Sequence, residues 1–337
     1  MNVSGYLLTA VLCFLSAGLS AQDGSTKTAK ISSYLDQQSK QGLSGSVLVA
    51  ADKQVLFEGA YGYQDRANAI KNQTNTRYTI ASMGKLFTMV GVLKLIEEGK
   101  LSLNDQLDQY LSGFLDKRAH NITIEQLLAH RAGWQHYWNF PEFLNNRLAT
   151  DSIADYMRFI KKTRLDFNPG SRNQYSNIGY IVLGAVIEKV TGEDYYEYIN
   201  RTIFQPLSMN GTDYANYLNL PEGYALHGGG GTDALERVAA RGAADGGGYS
   251  TTQDMYKLTK ALVYDHWLSE DHLTLVSNLF RSDQRRKDWG LRIAGGFMGV
   301  STVMLYDSEA DVTVIVLTNG NVPSAMEVGQ KITGILK

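Results

Sequence analysis

S-V-L-V-A at residues 46–50 and V-L-F-E-G-A-Y-G at 55–62, split by Ala51-Asp52-Lys53, read as an antiparallel hairpin. Both runs are rich in β-branched and aromatic residues, and the polar tripeptide between them has turn chemistry. The far end of the chain mirrors this pattern. G-V-S-T-V-M-L-Y at 299–306 and V-T-V-I-V-L-T-N at 312–319 are two more strands joined by the polar segment 307–311, and a last helix runs from about Ser324 to Leu336. Between these ends, residues 82–100, 151–161, 178–191 and 252–264 carry apolar residues at three-and-four spacing, the helical period, and 31–41 does so over a shorter stretch. Strands therefore come from the two termini and helices from the middle. The predicted fold class is α+β: an antiparallel sheet built from both chain termini and flanked by helices, with a large, mainly helical insertion. The sheet lobe is expected over about 30–75 and 285–337, and the helical lobe over about 80–265.

Composition narrows what such a fold does. The 337 residues are 44% hydrophobic and 20% charged with only 5 Pro, which suits a packed core and not a disordered chain. Thirty-two Lys plus Arg against 34 Asp plus Glu leave a net charge of -2, so no field exists to hold a polyphosphate, and nucleic acid is not expected as a partner. The single cysteine, Cys13, excludes thiolate metal sites and intramolecular disulfides. No metal-protease, Walker or dinucleotide motif occurs in a fitting context, so no cofactor is expected.

Residues 1–21 hold no charged side chain, and Tyr6 to Leu19 is an apolar run followed by small residues. That run is short of the ~20 residues a membrane-spanning helix needs. It fits the centre of a signal peptide cleaved near Ala21, which implies a periplasmic or secreted protein with no stable membrane insertion after cleavage.

The strongest chemical signal is A-S-M-G-K at 81–85, the only S-x-x-K in the chain. Ser82 is expected at the cap of a helix, with Lys85 one turn later on the same face. A lysine amine there can take the serine proton when its own proton affinity is depressed, and the helix dipole favours negative charge at the serine. Y-S-N at 175–177 offers a tyrosine hydroxyl to relay protons and an amide to hold a substrate carbonyl. Y-x-N by itself recurs five times, but only Tyr175 follows a Pro169-Gly170 turn and precedes a buried helix pattern.

Together with G-K-L-S-L-N-D-Q-L (99–107), I-T-I-E-Q-L-L-A-H-R-A-G (122–133), P-G-S-R-N-Q-Y-S-N-I-G-Y (169–180) and G-G-G-Y-S-T-T-Q-D-M (246–255), these motifs resemble the serine β-lactamase and penicillin-binding-protein family. The class C-like branch is the most similar. The resemblance covers about residues 30–335. It implies an acyl-enzyme on Ser82, with Lys85 as general-base partner and Tyr175 as proton shuttle to the leaving group. Asn177, Gly295 and Gly296 would contact the substrate, and the Ser82 N–H would form half of an oxyanion hole. Expected substrates are small molecules or short peptides: esters, small amides or D-amino-acid peptides, peptidoglycan-derived ones included.

One departure stands out. The family places Lys-Thr-Gly or His-x-Gly on the strand beside the active site, whereas W-G-L-R-I-A-G-G at 289–296 puts Ile293 at the basic position. That argues against efficient β-lactam or D-Ala-D-Ala hydrolysis. It leaves two alternatives to a working hydrolase: a binding or sensor homologue with weak catalysis, and a true class C-like β-lactamase. Arg292 alternates to the opposite strand face. His130 reads as a structural histidine. Trp134, His136, Tyr137 and Trp138 fit a pocket wall and a core cluster equally, and Gly228–Gly231 read as a surface loop.

Overall fold

A computed structural model describes residues 26–226, 239–280 and 290–337. The expected signal segment with its cleavage point at Ala21, the glycines 228–231 and Trp289 lie outside the described residues. The first helix, α1, occupies 26–40. Next come β1 (Gly45–Ala51) and β2 (Gln54–Tyr61), joined by Asp52 and Lys53, both at positive φ. The helical middle contains α2 (Lys85–Glu97), α3 (Ile153–Ile160), α4 (Asn177–Thr191), α5 (Thr252–Val263) and α6 (Glu270–Phe280), with several shorter turns between them. The chain closes with β3 (Gly290–Phe297), β4 (Val300–Asp307), β5 (Val312–Thr318) and α7 (Ala325–Leu336).

The main sheet has strand order β2-β1-β5-β4-β3 and is antiparallel throughout, so the two chain ends meet where β1 pairs with β5. Val47 lies opposite Val316 and Val49 opposite Val314. These valines face α1 and α7, in one apolar cluster with Ile31, Leu35, Val328 and Ile332. The alternate residues Leu48, Met304, Ile315 and Leu317 face the helical middle. Burial on both faces explains why these strands read as continuous apolar runs. Helix boundaries follow their capping chemistry: Ser152, Ser176, Thr251 and Ser324 each accept a backbone N–H in the first turn of α3, α4, α5 and α7.

Two expectations need correction. Strands are not confined to the termini: Tyr78–Thr79 pairs with Tyr249–Ser250 from the helical middle, which brings the glycine run at 246–248 against residues 80–84. Nor does Ser82 cap a helix. It lies inside a 3₁₀ turn, Ala81–Gly84, and α2 begins only at Lys85, with Gly84 as its cap residue and no side-chain capping bond. Ala81 is held at φ 45°, which turns the chain sharply just before the serine and leaves the Ser82 hydroxyl unspent on backbone.

Ile315 is fully buried between the sheet and the helical middle. Ile315→Ala is expected to lower unfolding free energy by about 2–5 kcal/mol in urea titrations. Gly334→Ala in α7, where an added Cβ meets nothing within 4 Å, should be neutral or stabilise by roughly 0.5–1 kcal/mol.

Candidate active site

The 3₁₀ turn carrying Ser82 is gripped from two sides by backbone. On one side Gly247 donates its N–H to the Ala81 carbonyl at 2.9 Å and Ile80 donates to the Gly248 carbonyl at 2.8 Å. A Cβ on Gly246, which sits at φ 130°, would fall 2.4 Å from the Ala81 oxygen. On the other side edge strand β3 presses in at Gly295, where a Cβ would lie 2.2 Å from the Ile80 oxygen and 2.9 Å from the Met83 nitrogen. Thr302 on β4 also donates to the Ile80 carbonyl, at 3.1 Å. Glycine at 246 and 295 is therefore required by close approach of backbone to backbone.

Lys85, the first residue of α2, is 1% exposed. Its Nζ lies 3.4 Å from Ser82 Oγ, donates to Asn177 Oδ1 at 2.7 Å, and donates to the Asp245 carbonyl oxygen. Tyr175 comes from the other direction. Ser176 caps α4 and Asn177 opens it, so Tyr175 just before them extends over Ser82 and donates its hydroxyl to Ser82 Oγ at 2.7 Å. Ser82, Lys85, Tyr175 and Asn177 are thus joined in one chain of hydrogen bonds, Tyr175 to Ser82, Lys85 to Ser82 and Lys85 to Asn177. Gly296 lines the same cleft, whereas Gly295 is buried against the Ser82 turn.

Ile293 is fully buried in the apolar cluster that contains Leu291, Met304 and Ile315. Arg292, on the opposite strand face, lines an opening shared with Ser82, Lys85, His130 and Tyr175. Alternation along the strand gave its direction correctly but could not show that this face of an edge strand borders the opening.

The histidine and aromatic signals separate in space. Trp134 is a core residue, 1% exposed and packed against Phe114. Tyr137 and Trp138 line the Ser82 cleft, and the His136 ring stacks on Trp138. His130 packs on Tyr175 with ring centroids 4.4 Å apart, and its Nδ1 is 3.1 Å from the Ser176 carbonyl oxygen, so it buttresses the Y-S-N segment. Burial, and then the Lys85 charge, push its pKa down to about 3.

Several cleft residues escaped sequence reading, Asp245, Tyr217 and Arg241 among them. Asp245 is buried beside Lys85, accepts the Tyr137 hydroxyl at 2.6 Å, and has its carboxyl pushed up by burial. Tyr217 donates to the Gly247 carbonyl, and Arg241 reaches the cleft from the end of the glycine-rich stretch. Asp245 and Arg241 carry no local signal and Tyr217 only one of the five Y-x-N matches; long-range pairing brings them to Ser82, Tyr249–Ser250 with Tyr78–Thr79 and Asn216 with Arg241 included.

Gly295→Ala is expected to lower the melting temperature by several degrees, since the overlap is with backbone on a fixed turn; an unchanged melting curve would contradict the close approach. His130 supplies a pH test. An unfolded histidine titrates near 6.5 while this one is held at about 3, so the unfolded state binds the extra proton between those values. Its contribution to stability is complete above pH 6.5 and is lost as pH falls toward about 3, at up to about 1.4 kcal/mol per pH unit. His130→Gln should flatten that part of the stability curve in denaturant titrations between pH 6.5 and 4.

The family model described as Beta-lactamase matches residues 28–333. The chain is 29% identical over 313 residues to penicillin-binding protein 4* of Bacillus subtilis (strain 168), covering 83% of this chain and 69% of that protein. It is 33% identical over 190 residues to protein flp of Staphylococcus aureus (strain N315), covering 54% of this chain but only 38% of that relative's length. Among solved structures, a penicillin-binding protein from Bacillus halodurans matches with a TM-score of 0.77 at 27% identity, over 87% of this chain and 96% of that one.

Proposed function

The chain belongs to the Beta-lactamase family of serine hydrolases, and on that premise we propose that it is an exported hydrolase forming an acyl-enzyme on Ser82 with Lys85 and Tyr175 as proton-transfer partners. The observation that carries this reading is the convergence of Lys85 Nζ and the Tyr175 hydroxyl on Ser82 Oγ, at 3.4 and 2.7 Å. Acylation proceeds from the form in which Lys85 Nζ has released one of its three protons: that amine takes the Ser82 proton as Oγ bonds to the substrate carbonyl carbon. The backbone N–H groups of Ser82 and Gly296 take the developing oxyanion. Collapse of the tetrahedral intermediate breaks the bond to the leaving group, which takes a proton from Tyr175; Tyr175 is reprotonated from Lys85. Water then attacks the acyl-enzyme by the same route in reverse and releases the carboxylic acid.

Asn177 Oδ1 is occupied by Lys85, so its amide N–H₂ meets the Tyr137 hydroxyl and keeps one hydrogen to hold the substrate carbonyl group. The substrate class is an ester, small amide or D-amino-acid peptide. Ile293 offers no charge for a β-lactam carboxylate, which favours slow nitrocefin turnover over efficient β-lactamase activity, and it is also the feature on which a catalytically weak sensor would rest.

Intact-mass spectrometry after exposure to a fluorophosphonate or a penicillin, with p-nitrophenyl ester turnover alongside, tests the assignment. A stoichiometric adduct absent from Ser82→Ala is expected, with acylation slowed by about 10²-fold or more in Lys85→Met and Tyr175→Phe. Labelling that persists in Ser82→Ala would sink the nucleophile assignment. No adduct with any probe, combined with tight ligand binding that Ser82→Ala leaves unaltered, would turn the reading to a sensor.

A further inference from the structure

Two openings flank Ser82. Lys85, Tyr175 and Arg292 line one of them. The other, open to solvent, has aromatic walls from Tyr137, Trp138, Tyr156 and Phe297 and also contains Asn177 and Arg241. If Tyr175 protonates the leaving group, that group departs through the first opening and the acyl part occupies the second; to this extent the inference rests on the function proposed above.

Among the described residues lining the aromatic cleft, Arg241 is the only cationic side chain. Its Nε donates to Asp151, at 2.7 Å to the carbonyl oxygen and 2.9 Å to the carboxylate. Its guanidinium lies 3.7 Å above the centre of the Tyr196 ring. Stack and bonds fix the plane of the guanidinium, yet neither engages its two terminal nitrogens. Their four N–H donors form a fork matched to the two oxygens of a carboxylate. The one acidic side chain lining this cleft, Asp245, is directed elsewhere, accepting from Tyr137 and lying beside Lys85.

We propose that the cleft selects substrates whose acyl part ends in a carboxylate, held by the free fork of Arg241 while the aromatic walls cover an apolar chain running back to Ser82. The positive charge missing at Ile293 on the strand side is thereby supplied on the acyl side, from the segment leading into G-G-G-Y-S.

Two p-nitrophenyl esters of adipic acid test this: the monoester with a free carboxylate and its neutral methyl ester. The wild-type kcat/KM ratio of anionic to neutral ester is expected to be about tenfold or more. It should collapse toward one in Arg241→Gln and recover in part in Arg241→Lys. Because it is a ratio, a general loss of fold or catalysis cancels. A ratio near one in the wild type, or one that follows Arg292→Gln instead, overturns the proposal. Calorimetry of monomethyl adipate with Ser82→Ala gives a readout without turnover: binding should weaken by at least tenfold in Ser82→Ala/Arg241→Gln. Binding of that kind with neither ester hydrolysed sinks the hydrolase reading and sustains the anion site. Ser82-dependent hydrolysis of the neutral ester without any preference sinks the anion site alone.

Discussion

The fit of the Ser82 turn between two backbones is the constraint on which the site depends. Residues 80–83 are held by Gly246–Gly248 on one side and by Gly295 and Thr302 on the other, through main-chain hydrogen bonds and contacts too close for a Cβ. Ala81 at φ 45° is a conformation costing on the order of 1 kcal/mol or more, and such residues persist only where surroundings over-determine them. The surroundings here are the C-terminal strands and the last part of the helical middle. Both must be in place before the serine is presented, so the reactive turn forms with the tertiary structure and not ahead of it.

The same convergence settles how a lysine can be buried. An ammonium taken out of water is costly unless its donors are met, and Lys85 meets acceptors in Asn177 Oδ1, the Asp245 carbonyl and Ser82 Oγ. The nearby Asp245 carboxyl, which accepts from Tyr137, adds favourable charge. His130, close enough to feel Lys85, stays neutral, because a second positive charge in a buried place would meet both desolvation and repulsion. A neutral ring packed on Tyr175 therefore shapes the site without competing for its protons.

Much of the fold was legible because period-two and three-and-four patterns are local properties of sequence. Val47, Val49, Val314 and Val316 face one side and Leu48, Ile315 and Leu317 the other, as alternation requires. Ser82, Lys85, Tyr175 and Asn177 stood out as candidates through the S-x-x-K spacing, the Y-S-N segment behind a proline-glycine bend, and the family resemblance that joined them. What local reading could not provide is long-range contact. The cap assigned to Ser82 failed because the turn is bent by glycines more than 160 positions away. Asp245 and Arg241 gave no signal because an isolated aspartate or arginine in a glycine-rich stretch looks like a solvated loop until its pairing partner is known. The division of the aromatic segment, with Trp134 in the core and Tyr137 and Trp138 on the cleft, likewise depends on side-chain direction within one short irregular turn.

The altered third motif is a change of environment more than of one side chain. Ile293 is fully buried in the core cluster with Leu291, Met304 and Ile315, where a charged side chain would have to leave water. The strand keeps its geometric task, since Gly295 still admits the Ser82 turn and Gly296 still faces the cleft, while its electrostatic task is gone. Among the described residues, the lysine and arginine side chains lining the two openings beside Ser82 are Lys85, which is occupied by its own acceptors, Arg241 in one opening and Arg292 in the other. Under the proposed function, the geometry for acyl transfer and the charge for substrate selection fall to different segments of the chain, so that selection can shift to a new anion position without disturbing the turn that presents Ser82.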